Sequence, residues 1–158
     1  MFETLFFTLG LVNSIALIAI FALRGRRLDL IQRFGWLYLL LAIPAVYALV
    51  LAQQANESVR YTVFLAIFLG FLAIEALYDW VLKIPFREKM DWRQLVPYVA
   101  LYISSNYGFV VMTWRYDSTA RGILLLVLFV VQILANFLTH SPPPRSPAEE
   151  RTNRGIGP

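Results

Sequence analysis

Two carboxylates lie four residues apart in an otherwise apolar stretch of the chain. Glu75 and Asp79 belong to the segment from Tyr61 to Lys83, which is long and apolar enough to cross a bilayer. A spacing of four residues places both side chains on one face of a helix. Ionisable groups inside a membrane span are costly, by about 2.5–3.5 kcal/mol at the helix centre, and normally face a protein interior or a wet cavity. The pair therefore predicts a polar site within the membrane.

The two carboxylates have different neighbours along the chain. Asp79 lies one helical turn from Lys83, so an ion pair near the membrane surface would account for its charge. Glu75 lies one turn deeper, at roughly 12 Å from Lys83 by helix rise. A carboxyl group at that depth is a candidate for binding a proton or the amine of a ligand.

Polar side chains on other apolar segments are predicted at a similar depth. Tyr102 and Asn106 share one helix face with Tyr98, Ser105 and Phe109, and a later apolar segment carries Gln132 and Asn136. Helix rise places Tyr102 and Gln132 level with Glu75, while Asn13 and Ser14 lie in the middle of the first apolar segment.

The predicted ligand- or proton-binding site comprises six residues: Glu75, Asp79, Tyr102, Asn106, Gln132 and Asn136. Amide side chains in membrane helices also serve as interhelical hydrogen-bonding groups, worth about 0.6 kcal/mol each. Interhelical hydrogen bonding does not require a carboxylate. It therefore explains the asparagines and glutamine better than it explains Glu75.

Five apolar segments must position these side chains. Hydrophobic residues make up 59% of the 158 residues, above the roughly 45–50% of soluble domains. The predicted spans cover about residues 4–23, 34–53, 60–83, 95–114 and 122–139. Pro44 should kink the second of them. The sequence thus predicts an all-α polytopic membrane protein whose five-helix domain covers 1–140, followed by a proline-rich polar tail, 141–158, without fixed structure.

The basic residues predict an orientation for this bundle. Eleven of the 14 lysines and arginines fall in the two connections and the tail on one side of the membrane, and three on the other. The positive-inside rule then places the N-terminus outside and the C-terminus in the cytoplasm, in a prokaryotic cytoplasmic membrane. Trp36, Tyr61, Trp92 and Trp114 fall near span ends, where aromatic side chains anchor helices at the interface.

Several classes of chemistry have no support in the composition. The chain has no cysteine and one histidine, His140, so thiol catalysis and the usual metal sites are excluded and no cofactor is predicted. Phosphate-binding loops and common catalytic motifs are missing as well, which favours a non-enzymatic role. The net charge of +4 is explained by topology, and the predicted surroundings are the lipid bilayer rather than nucleic acid.

In length, span number and orientation the chain resembles the translocator (tryptophan-rich sensory) protein family, whose five-helix bundles bind porphyrins and sterols. The WxPP type of motif of that family has no counterpart, because Pro44 is followed by Ala45 and Val46. Acids facing a lipid-accessible pocket are also a feature of the four-span emopamil-binding family. Neither resemblance assigns a role to a residue of this chain.

Three functions are compatible with these patterns. The first is binding or transport of a small lipophilic or amine-bearing molecule at the polar site around Glu75. The second is a non-catalytic accessory subunit of a larger membrane complex, or a homo-oligomer whose polar faces form interfaces. The third is a membrane-embedded lipid-modifying enzyme that uses Glu75 and Asp79 as an acid–base pair.

Overall fold

The computed structural model describes residues 1–24, 27, 33–82 and 92–140, without the side chains of Arg24, Asp79, Trp80, Thr139 and His140. These residues form helices and short connections and no strand. The five α-helices are α1 (Phe2–Arg24), α2 (Ala42–Gln54), α3 (Val59–Ala76), α4 (Trp92–Tyr116) and α5 (Thr119–His140). The predicted tail, 141–158, lies outside the described residues.

Within the described residues, five helical segments are long and apolar enough to cross a membrane, which confirms the predicted helical class and indicates an integral membrane protein. The third differs in detail from the predicted span 60–83. Its α-helical part ends at Ala76 and a π-helical turn follows, Leu77–Val81. The Leu82 N–H donates to the Leu77 carbonyl at 2.8 Å, five residues back, as this helix type requires. Glu75 is therefore in the last α-helical turn, and Asp79 is in the π-helical turn.

The second span starts as a 3₁₀ helix, Gly35–Leu41, and becomes α-helical only at Ala42. Pro44 is the third residue of α2. The first four N–H groups of an α-helix have no partner within the helix, so a residue without an N–H is tolerated there. The proline expected to kink the span thus follows a change of helix type.

Helix α4 occupies the centre of the bundle. It packs against α3, α5 and α1, whereas α2 packs mainly on α3. The face of α4 predicted from the helical period is buried: Tyr98, Tyr102, Ser105, Asn106 and Phe109. This period-3.6 pattern therefore identifies the side of α4 that the other helices cover.

Aromatic rings fill the bundle at the end where α1 begins, called here the Met1 end. The aromatic cluster consists of Phe2, Phe6, Tyr61, Phe68 and Phe109, with ring centroids of neighbouring pairs 4.8–6.1 Å apart. Most pairs meet edge to face, the arrangement that the charge distribution of the rings favours. Tyr61 is only 2% exposed, so it packs inside and is not an interfacial anchor, whereas Trp36, Trp92 and Trp114 are exposed.

Glycines allow the helices to approach closely beside this cluster. A Cβ atom added to Gly10 of α1 would lie 3.0 Å from the ring of Phe109, and one added to Gly108 of α4 would lie 2.3 Å from the ring of Phe64. Either distance is too short for a side chain to be added without moving the ring. A phenylalanine ring therefore packs directly on a glycine at both the α1–α4 and the α3–α4 contact.

Candidate functional site

A hydrogen-bonded chain of buried polar side chains crosses the bundle on the far side of the aromatic cluster. The Tyr38 hydroxyl of the 3₁₀ segment donates to Asn13 Oδ1 of α1 at 2.6 Å. Asn13 Nδ2 donates in turn to Asn106 Oδ1 of α4 at 3.2 Å. All three residues are buried, so each bond replaces contacts that the side chain would otherwise make with lipid or water.

The chain continues along α4 to α5. Asn106 Nδ2 donates to the backbone carbonyl of Tyr102 at 2.8 Å, which also accepts from Ser105 Oγ at 3.0 Å. The Tyr102 hydroxyl donates to Gln132 Oε1 at 3.0 Å. We call Asn13, Tyr38, Tyr102, Asn106 and Gln132 the polar network. It links α1, the 3₁₀ segment, α4 and α5.

One end of the polar network is unsatisfied. Gln132 is 0% exposed, and its Nε2 has no hydrogen-bond partner within the described part of the chain. An unpaired buried donor costs about 1–3 kcal/mol in proteins. The network is thus more than a set of saturated contacts between helices, because it retains unused bonding capacity in the core.

Glu75 lies beside this network. It is half-buried on α3, one turn beyond Phe71, whose ring centroid is 6.4 Å from that of Tyr38 and 5.9 Å from that of Tyr102. The Glu75 carboxyl is near enough to Tyr38 for a charge on it to act on the Tyr38 hydroxyl. The predicted carboxylate therefore faces the same region as the tyrosines of α4 and the 3₁₀ segment.

The structure says less about the other two predicted site residues, Asn136 and Asp79. Asn136 is half-buried on α5, one turn beyond Gln132. The side chain of Asp79 and all of Lys83 lie outside the described residues, and so does their predicted ion pair.

Tyr38 is the functional candidate that the sequence patterns missed. It and Tyr47 are the two tyrosines of the second span, and only Tyr38 is buried, at 6% exposure against 55%. By α-helical rise, Tyr38 belongs much nearer the membrane surface than Asn13. A 3₁₀ helix rises about 2.0 Å per residue against 1.5 Å, which carries the tyrosine about 2 Å deeper over four residues. The length of the tyrosine side chain covers the remaining distance to Asn13. The feature of the sequence that could have identified Tyr38 is its hydroxyl group within an apolar span.

A groove of about 390 Å³ runs between α1 and the 3₁₀ segment. The described residues that line it are almost all apolar: Val12, Ala16, Ile20 and Leu23 of α1, then Phe34, Gly35, Leu37, Tyr38 and Leu41. The groove opens to the outer surface of the bundle, where Val12, Leu23 and Leu37 are exposed. Tyr38 is the one side chain in this lining that carries a polar group.

The helix types of the two walls explain why the groove exists. The α1 wall is a row at i, i+4 and i+8, Val12, Ala16 and Ile20. The facing wall contains Gly35, Tyr38 and Leu41, at i, i+3 and i+6, which eclipse one another in a 3₁₀ helix. Eclipsed side chains form a row that fits poorly between α-helical ridges, and Ala16 and Gly35 are too small to fill the gap.

A metal site has no support in the part of the chain that the structure describes, where no three histidine, aspartate or glutamate side chains come together. Comparison with protein families, with curated proteins and with solved structures gives no match for this chain.

Proposed function

We propose that this protein binds a small lipophilic molecule in the groove between α1 and the 3₁₀ segment, with the polar part of the molecule at Tyr38. The observation that carries this proposal is the combination of an apolar groove with a buried polar network at its wall. Ligand sites typically have volumes of about 300–1,000 Å³ and apolar linings with few polar groups. The groove falls in this range and has that composition.

The proposed site differs from the one predicted around Glu75. Glu75 is not among the residues that line the groove; it acts on Tyr38 from the side of α3. Tyr102, Asn106 and Gln132 hold Asn13 and hence Tyr38 in position. In this proposal Tyr38 contacts the ligand, and the predicted residues form the layer behind it. Binding of this kind is the first step of either a carrier or a transporter.

The proposed orientation has the N-terminus outside and the C-terminus in the cytoplasm, because the order of the spans predicts eleven of the 14 basic residues on the side opposite the Met1 end. The groove then opens in the cytoplasmic half of the bilayer. The absence of cysteine makes single-cysteine labelling clean. A membrane-impermeant maleimide should label Asn56→Cys in intact cells and Ser146→Cys only after lysis. The reverse pattern would invert the proposed orientation.

Saturable photolabelling tests the groove itself. Dodecanol that carries an alkyl diazirine should label the purified protein in nanodiscs, at residues 12–23 and 34–41, and excess dodecanol should compete. Ala16→Phe fills the groove and should abolish the part of the labelling that excess dodecanol prevents. Ala19→Phe places the same ring on the exposed surface of α1 and should leave that part of the labelling unchanged. Labelling that no competitor reduces would reflect lipid exposure alone and contradict the proposal.

Native mass spectrometry of the same samples addresses the accessory-subunit alternative. A monomer that retains the probe supports a ligand site. A stable complex with another chain that Ala16→Phe disrupts would mean that the groove is a protein interface.

A further inference from the structure

We propose that the groove selects lipophilic molecules whose polar head donates a hydrogen bond, an alcohol or an alkylammonium, over those whose head only accepts or is anionic. This inference rests on the proposed binding function and specifies the ligand class. It follows from the direction of the hydrogen bonds in the polar network.

The backbone carbonyl of Tyr102 sets that direction. A carbonyl can only accept, so Asn106 must turn its Nδ2 toward it and its Oδ1 toward α1. Asn13 must then present Nδ2 to Asn106 and Oδ1 to the 3₁₀ segment. Amide orientations are normally assigned rather than seen, but here each follows from the previous one.

The network ends at Tyr38, one of the residues that line the groove. Its hydroxyl proton is directed to Asn13 Oδ1, at 2.6 Å. The hydroxyl oxygen keeps acceptor capacity and has no second proton to offer. A ligand head at this position therefore gains a hydrogen bond only if it is a donor. An ether or a carboxylate head would leave its oxygens unpaired, which costs more than the missing bond alone.

Charge around Tyr38 acts in the same direction. The groove lining contains no basic side chain among the described residues, and the carboxyl group of Glu75 interacts with Tyr38. The alternative position for an anionic head is the Arg33 guanidinium, which lies 5.5 Å from the centroid of the ring of Phe34, a lining residue of the groove. The two positions select opposite head groups, so head-group preference distinguishes them.

The test is competition against the diazirine probe by four matched compounds: dodecanol, dodecylammonium, dodecyl methyl ether and dodecanoate. The Tyr38→Phe variant keeps the ring that packs on Phe71 and removes the acceptor. For each compound, the ratio of its potency on the wild type to its potency on Tyr38→Phe cancels differences in partitioning into the bilayer. Tyr47→Phe, an exposed tyrosine of the same span, is the control and should behave as the wild type.

We expect Tyr38→Phe to weaken dodecanol and dodecylammonium about tenfold, the effect of one hydrogen bond, and to leave the ether and dodecanoate unchanged. Equal ratios for all four compounds would overturn the head-group selection and leave binding in the groove intact. A preference for dodecanoate that is lost in Arg33→Gln would also overturn the head-group selection. It would mean that the polar head of the ligand binds beside Arg33 and not at Tyr38. Absence of any saturable labelling would instead defeat the proposed function.

Discussion

The two halves of the bundle are built from different side chains. At the Met1 end the aromatic cluster fills the space between α1, α3 and α4, and rings pack directly on Gly10 and Gly108. In the other half the polar network links four helical segments and leaves a donor unpaired, and a groove separates α1 from the start of the second span.

The difference is one between close apolar packing and hydrogen bonding. In a bilayer, apolar side chains gain little by leaving lipid, so close packing supplies most of the stabilising energy. The aromatic cluster provides that packing. The polar network adds only modest energy and lies beside the groove. The predictions below measure this contrast by the free energy of unfolding in mixed detergent micelles, followed by tryptophan fluorescence.

The largest effect is expected in the aromatic cluster. Phe6→Ala removes a ring that contacts Tyr61 and Phe109, at centroid distances of 4.9 and 5.1 Å. The cavity should lower the free energy of unfolding by about 2 kcal/mol, less than the roughly 3–5 kcal/mol of soluble cores because lipid solvates the ring well. Leu134→Ala, at a position 55% exposed on α5, should have no measurable effect. Equal losses at the two positions would refute the role of the cluster.

Adding a methyl group to a glycine beside the aromatic cluster should lower the free energy of unfolding somewhat less than Phe6→Ala does. In Gly108→Ala the new Cβ would lie 2.3 Å from the Phe64 ring, so the ring or the helices must shift, at about 1–2 kcal/mol. Gly70→Ala is the matched control, because its Cβ meets no atom within 4 Å. The control should be neutral or stabilised by up to about 1 kcal/mol through helix propensity. If Gly108→Ala is tolerated as well as the control, α3 and α4 are not in close contact.

A single bond of the polar network should contribute less again. In a double-mutant cycle, Tyr38→Phe and Asn13→Ala should show a coupling of about 0.6 kcal/mol, and at most about 1.7 kcal/mol. The 2.6 Å bond between these side chains is the interaction that the cycle isolates. A coupling of zero would mean that the two residues are not bonded in the membrane. A coupling as large as the effect of Phe6→Ala would remove the contrast between the halves.

The smallest effect is expected where both partners of a bond are removed. Tyr102→Phe alone leaves the Gln132 amide without a partner and should be destabilising by about 1 kcal/mol. Tyr102→Phe combined with Gln132→Met replaces both groups by apolar ones of similar shape and should be close to the wild type. If the double variant is less stable than the single one, Gln132 Nε2 has a partner of its own, such as a buried water molecule.

The features that depend on local sequence were predictable. Five apolar segments follow from the composition along the chain, because the length of a span is fixed by the thickness of the bilayer. The buried face of α4 follows from the helical period. Helix rise predicted Tyr102 and Gln132 at one depth, and their side chains are hydrogen-bonded. The predicted place of Glu75 at the same depth stays a prediction.

The features that depend on how two helix surfaces fit together could not be predicted from the sequence. Nothing in the apolar run before Pro44 distinguishes a 3₁₀ start from an α-helical one, since both helix types suit the same residues. That choice brings Tyr38 to Asn13 and leaves its row of side chains poorly fitted against α1. The sequence by itself determined a five-helix membrane protein with polar groups on several helices. Only the tertiary structure decided that Tyr38 joins them, that Gln132 Nε2 meets no acceptor among the described residues and that a groove opens beside Tyr38, because each depends on distances between helices.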